Sequence, residues 1–166
     1  MIPYNHFQYG EMLARKLKAI AHTDENEHYY RATEAENLQE LNERLSSANG
    51  MILIAIDGCN SDVSWNDSDS LMELPQYFFV IAKETAGNDI AKIFESQSEC
   101  KAVALQIIAR MKKDGRDFNL SLQYLEEKSI TVRGIGPIGD NFYGVIFGFN
   151  MNYGINYQLD KSMWEE

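Results

Sequence analysis

Hydrophobic and polar positions change period several times along this chain, and the sharpest pattern lies near its end. Over 142–153, Tyr143, Val145, Phe147, Phe149, Met151 and Tyr153 alternate with Phe142, Gly144, Ile146, Gly148, Asn150 and Asn152. Successive strand side chains point to opposite faces, so this stretch predicts a long strand with one continuous apolar face and one thinner face of glycine and polar residues. With Ile130 and Val132 on a preceding arm, 128–153 reads as a β-hairpin, and the rest of the chain is expected to cover its apolar face.

Earlier segments read as the cover. Phe7, Met12, Leu13, Leu17 and Ile20 make an apolar stripe that predicts a helix over 5–21. The polar run 22–28 interrupts it. A second helix is expected from Thr33, which forms a capping box with Glu36, through the stripe Leu38, Leu41 and Leu45 to a stop at Asn49-Gly50. Met51 to Ile56 is an unbroken apolar run, the mark of a buried strand. The acidic stretch 57–73, rich in Gly, Asn, Asp and Ser, reads as a long loop. Gln76 to Lys83 is a strand with Pro75 at its start. Apolar residues at three- and four-residue steps predict the longest helix, from Asp89 to Lys113. Phe118, Leu120, Leu122 and Tyr124 alternate with polar residues as a strand, and 126–128 turns the chain into the hairpin.

This order of elements predicts the α+β class: a mainly antiparallel sheet of about five strands, with the long helix and the N-terminal helices packed on one face. A single domain over 1–166 is expected, with a helical part at 1–50, a body at 51–155 and a short tail that is either strand or helix.

The formal net charge of −10 disfavours direct contact with a phosphate backbone. Arg110, Lys112, Lys113 and Arg116 form the one basic cluster, and their place at a helix end is explained by the helix dipole. Cys59 and Cys100 have neither disulfide-framework nor zinc spacing. No apolar run approaches the roughly 20 residues of a membrane span, and the N-terminus lacks a signal-peptide pattern. A cytoplasmic protein without membrane or nucleic-acid partners is expected.

Candidate chemistry is sparse. Gly134, Gly136 and Gly139 match a dinucleotide fingerprint by letter, but the next element is a strand, and phosphate binding there needs a helix N-terminus. A glycine-rich hairpin loop is the expectation. Oxygen-bearing side chains at Asp62, Ser64, Asn66, Ser68 and Glu73 approximate a twelve-residue calcium loop, so Asp62, Asn66 and Glu73 are candidate cation ligands, although Asp67 stands where that loop needs glycine. His22 and His28 lack the i,i+4 spacing of paired ligands on a helix, and His6 stands alone. No nucleophile elbow or acid–base pair is present, and no catalytic residue or cofactor is expected. Aromatic residues exceed what one sheet face requires. Phe78, Phe142, Tyr157 and Trp164 are therefore candidates for a protein interface, unless a second layer covers them.

The order helix, two strands, long helix, antiparallel hairpin over about residues 50–155, with the segment GPIGDNFYGVIFGFNMNYG, resembles the small tail-completion and tail-terminator proteins of tailed phages and their prophage remnants. That resemblance implies a structural subunit that self-associates into a ring at the end of a tail tube, with no cofactor and no turnover. The alternative is a small-ligand or regulatory binding domain, its site between the sheet and the acidic stretch 57–73.

Overall fold

A computed structural model describes residues 3–34, 38–155 and 158–165. Its spine is β4 (Leu71–Glu84), a strand of 14 residues. Around it lie β1 (Tyr29–Ala32), β2 (Met51–Ile56), β3 (Ser61–Trp65), β5 (Leu125–Ile138), β6 (Phe142–Met151) and β7 (Tyr153–Gly154). The main path runs β1-β2-β4-β6-β5, while β3 and β7 pair with the first half of β4. Every pairing is antiparallel except β1 with β2. The class is α+β, with a mixed, mostly antiparallel sheet of seven strands rather than about five.

Helices cover both faces of this sheet, not one. On the first face, α1 (His6–Lys16) and α3 (Ile90–Arg116) set Tyr9, Leu13, Cys100, Ala104, Ile107 and Met111 against Leu53, Ala55, Phe79, Ile81, Phe147 and Phe149. On the second, Leu38, Leu41 and Leu45 lie over Ile52, Ile54, Ile56, Val80 and Ile146. They come from a 3-10 turn (Leu38–Leu41) and the short α2 (Asn42–Leu45). A strand covered on both sides needs no polar face, which is why β2 reads as an unbroken apolar run. Each buried Leu, Ile or Phe contributes about 1.5–3 kcal/mol of apolar transfer.

Several local expectations are corrected. The helix expected from Thr33 to Asn49 is shorter and broken: the chain bends at Thr33 after β1, and the described helical residues are the 3-10 turn and α2, together 38–45. The Glu36 half of the capping box lies outside the described residues. The strand expected over 118–124 is a turn followed by a 3-10 helix (Leu122–Tyr124). Phe118, Leu120 and Ser121 all have positive φ (54°, 54° and 62°), which no strand ladder accepts. The turn expected at 126–128 is instead a bulge inside β5, between Glu126 and Thr131. There the Ser129 hydroxyl accepts from the Asn150 N–H at 2.7 Å, replacing the missing ladder carbonyl. Of the glycine-rich loop at 134–139, all but Gly139 belongs to β5, and the turn occupies 139–141. The tail forms β7 and a 3-10 turn (Lys161–Met163).

Candidate functional site

Residues 71–75 of β4 run past the point where its neighbours in the main sheet stop, over roughly 17 Å at strand rise. Beside them β3 continues the line of β2 and β7 continues the line of β6, so the sheet ends in a narrow three-stranded arm. The stretch 57–73, expected as a loop, is in large part a hairpin. Its turn is built by Asn66, whose side-chain Oδ1 accepts from the N–H groups of Ser68 and Ser70, each at 2.9 Å.

Register decides what each face of the arm carries. Ser61, Val63 and Trp65 sit opposite Pro75, Glu73 and Leu71, on the face that carries α1 and α3 further along the sheet. Asp62 and Ser64 sit opposite Leu74 and Met72, on the other face. Every β3 residue is exposed, with Val63 at 60% and Trp65 at 62%. Asp62 and Glu73 therefore point to opposite faces and cannot close around one cation, which removes the basis of the Asp62–Asn66–Glu73 site. Glu73 instead accepts from the Ser61 hydroxyl at 2.8 Å, and the Asn66 side chain is spent on the turn. Among the described residues no group of three or more His, Cys, Asp or Glu could hold a metal.

At the root of the arm, on the second face, lies an open cleft of about 440 Å³ lined by Thr33, Glu34, Asn60, Gln76, Phe78 and Arg133 among others. Phe78, an interface candidate, is half-buried there. Its ring occupies the space above Gly148, where a Cβ would come within 2.7 Å of it.

On the first face the root is an aromatic knot. His6 is 1% exposed among Tyr4, Tyr77, Phe79 and Phe149. Its Nε2 lies 2.8 Å from the Phe78 carbonyl, which can only accept, so Nε2 carries the proton. Nδ1 then accepts from the Tyr4 hydroxyl at 2.9 Å. Burial pushes the His6 pKa down to about 3, the carbonyl bond opposing only in part. This imidazole is neutral with both nitrogens engaged, and it pins α1 to β4 where the arm begins.

The other predicted residues fall in separate places. Phe142 is 2% exposed and belongs to the second core, so it offers no surface. Trp164 is exposed beside the 3-10 turn of the tail, and Tyr157 lies outside the described residues. His22 Nδ1 accepts from the His28 N–H at 3.1 Å, and His28 Nδ1 bonds the Ile20 carbonyl at 2.5 Å. Both rings serve the turn between α1 and β1. Burial drives the Cys100 thiol up to about 12, where it stays protonated.

Sequence reasoning missed Val63, Trp65, Phe118 and Leu120, all exposed apolar residues. A signal for the first two was present: in Ser61-Asp62-Val63-Ser64-Trp65, β-formers alternate with polar residues before a turn-rich Asn-Asp-Ser-Asp. Among the described residues, no helix is long and apolar enough to cross a membrane. No family model matches the chain, and no curated protein or solved structure matches it with statistical significance.

Proposed function

We propose that this chain is a non-enzymatic structural subunit that assembles with copies of itself, as the resemblance to phage and prophage tail-completion proteins implies. The observation that supports it is the arm. An isolated hairpin is marginal in water, and strands gain stability by burying a face. Here every residue of β3 is exposed, Val63 and Trp65 among them, and none belongs to either core cluster. Exposed apolar residues on a protruding, hydrogen-bonded edge fit a contact with another protein chain. The test is mass in solution by light scattering at high micromolar concentration. A discrete oligomer is expected, and a strictly monomeric species overturns the reading.

The cleft at the root of the arm favours a second reading, a binding domain for a small polar ligand held by Arg133, Asn60 and Gln76. It is tested by thermal-shift screening of small carboxylates and phosphates. A stabilising compound whose effect disappears in Arg133→Ala supports it, and a monomeric chain with such a ligand replaces the first reading.

A further inference from the structure

β3, the outer strand of the arm, lies on one flank of the sheet, and its chemistry is matched on the other. In strand order, β2 and its continuation β3 lie on one side of β4, while β5 is the edge on the opposite side. At that far edge, the end of α3 and the chain leading into β5 enclose a hollow of about 320 Å³. Lys112, Arg116, Phe118, Leu122, Leu125 and Glu127 line it. Phe118 is 77% exposed, and Leu120 close by is exposed as well.

Charge separates the two surfaces further. Over 57–76 the chain carries Asp57, Asp62, Asp67, Asp69 and Glu73 and no Lys or Arg. The end of α3 concentrates Arg110, Lys112, Lys113 and Arg116. Arg110 is committed to Asp114 at 2.9 Å, Lys112 to Glu127 at 3.1 Å and Lys113 to Asp117 at 2.8 Å. Arg116 has no ion-pair partner within salt-bridge distance among the described residues. The hollow thus joins an exposed aromatic ring to an available guanidinium, a pairing suited to an indole and a carboxylate arriving together.

We propose, building on the self-assembly reading, that the arm of one copy seats in this hollow of the next. Val63 and Trp65 meet Phe118 and Leu120, Asp67 in the turn beyond them meets Arg116, and the wider negative charge of the arm, Asp62 on its other face included, is drawn to the basic end of α3 at Lys112 and Arg116. Donor and acceptor lie on opposite flanks of one sheet, so the contact is heterologous. It repeats head to tail and closes into a ring or continues as a filament. Complementary charge sets its register and its rate of formation, while the apolar pair supplies desolvated contact.

Sedimentation velocity on the full chain tests this with charge-reversed variants. One carries Asp62→Lys and Asp67→Lys; a second carries Lys112→Glu and Arg116→Glu; a third carries all four. The expected result is an oligomer for the wild type, assembly weakened by about tenfold or more in each two-site variant, and recovery in an equimolar mixture of the two or in the four-site chain. If the wild type assembles and both two-site variants assemble equally well, the arm-in-hollow contact is overturned while self-assembly stands. If the wild type is monomeric, both fall. Circular dichroism checks that each variant is folded. Where one is not, Trp65→Ser and Phe118→Ser probe the same two surfaces and carry the same expectation of weakened assembly.

Discussion

The two halves of β4 share one strand and differ in everything that surrounds it. Residues 76–84 lie between β2 and β6, with α1 and α3 on one face and the α2 segment on the other, and Phe79, Val80, Ile81 and Ala82 are fully buried. Residues 71–75 lie between β3 and β7, belong to neither core cluster, and none of them is buried. The backbone ladder continues from one half to the other. What changes is the extent of the two cores, so the arm keeps its hydrogen bonds while giving up the burial that stabilises the body. The body should therefore be intolerant of small changes and the arm tolerant, with the arm's sensitivity appearing only in assembly.

The body should break most easily at Gly144. A Cβ there would lie 1.9 Å from the Ile81 carbonyl oxygen, a backbone atom of the paired strand. Gly144→Ala must push β6 away from β4 at the centre of the sheet, and a loss of about 3 kcal/mol or more is expected, read as the urea midpoint. A near-neutral result would show that the central strands yield more than two packed cores should allow.

Asp114 comes next. It is buried at the C-terminal end of α3, where it accepts from the Tyr9 hydroxyl at 2.9 Å and takes a forked bond from Arg110 Nε at 3.0 and 2.9 Å. Burial first, then this bond, pushes the Tyr9 hydroxyl pKa far up, so it remains a donor. Asp114→Ala leaves that hydroxyl without its acceptor, at an expected cost of about 2–3 kcal/mol. Tyr9→Phe with Asp114→Ala should recover part of the loss, because the stranded donor is removed as well.

His6 gives the body a pH signature. Its folded pKa is about 3 against an ordinary 6.5. Between those values the unfolded chain binds a proton that the folded chain does not, so stability is complete above 6.5 and falls as pH drops toward 3. The slope approaches roughly 1.4 kcal/mol per pH unit, or about 2 kcal/mol between pH 6.5 and 5, before most carboxylates titrate. Burial also lowers the pKa of His22, which adds in the same direction. Urea midpoints of wild type and His6→Phe separate the two. The variant is expected to be less stable at pH 7, having lost the Phe78 bond, but flatter between 6.5 and 5. Equal slopes would remove His6 from the account.

The contrast between the halves of β4 also explains what the sequence revealed. The alternation over 142–153 sorted its residues correctly: Val145, Phe147, Phe149 and Met151 enter the first core, and Phe142 and Ile146 the second. The long helix was legible because its apolar steps are regular and Asp89 caps it through bonds to the Ala91 and Lys92 N–H groups. Where burial stops, the periodic signal shortens. In β3 it amounts to Val63 and Trp65 alternating with polar residues over five positions, so the surrounding turn residues dominated and 57–73 read as a loop. At 118–124 the alternation was genuine but the backbone took left-handed steps, a choice set by the closing of α3 rather than by side-chain pattern. The candidate site suffered most. Phe142 stood out because aromatic residues signal contact, yet they do so equally for a core. Trp65, the more informative residue, was hidden among Asp, Ser and Asn.

The arm supplies the smallest stability effect and the most discriminating one. Trp65 is 62% exposed, and it lies on a strand whose residues are all exposed. Trp65→Ser should shift the urea midpoint by less than about 0.5 kcal/mol equivalent, the range of surface substitutions away from special features. If the residue serves assembly, the same change should lower the mass in solution, because a truncated aromatic anchor at an interface typically costs more than about 1 kcal/mol of binding. A large loss of stability with mass unchanged would instead mean that the indole packs against its own arm. The arm would then be an extension of the body, and the difference between the two halves of β4 would be one of degree.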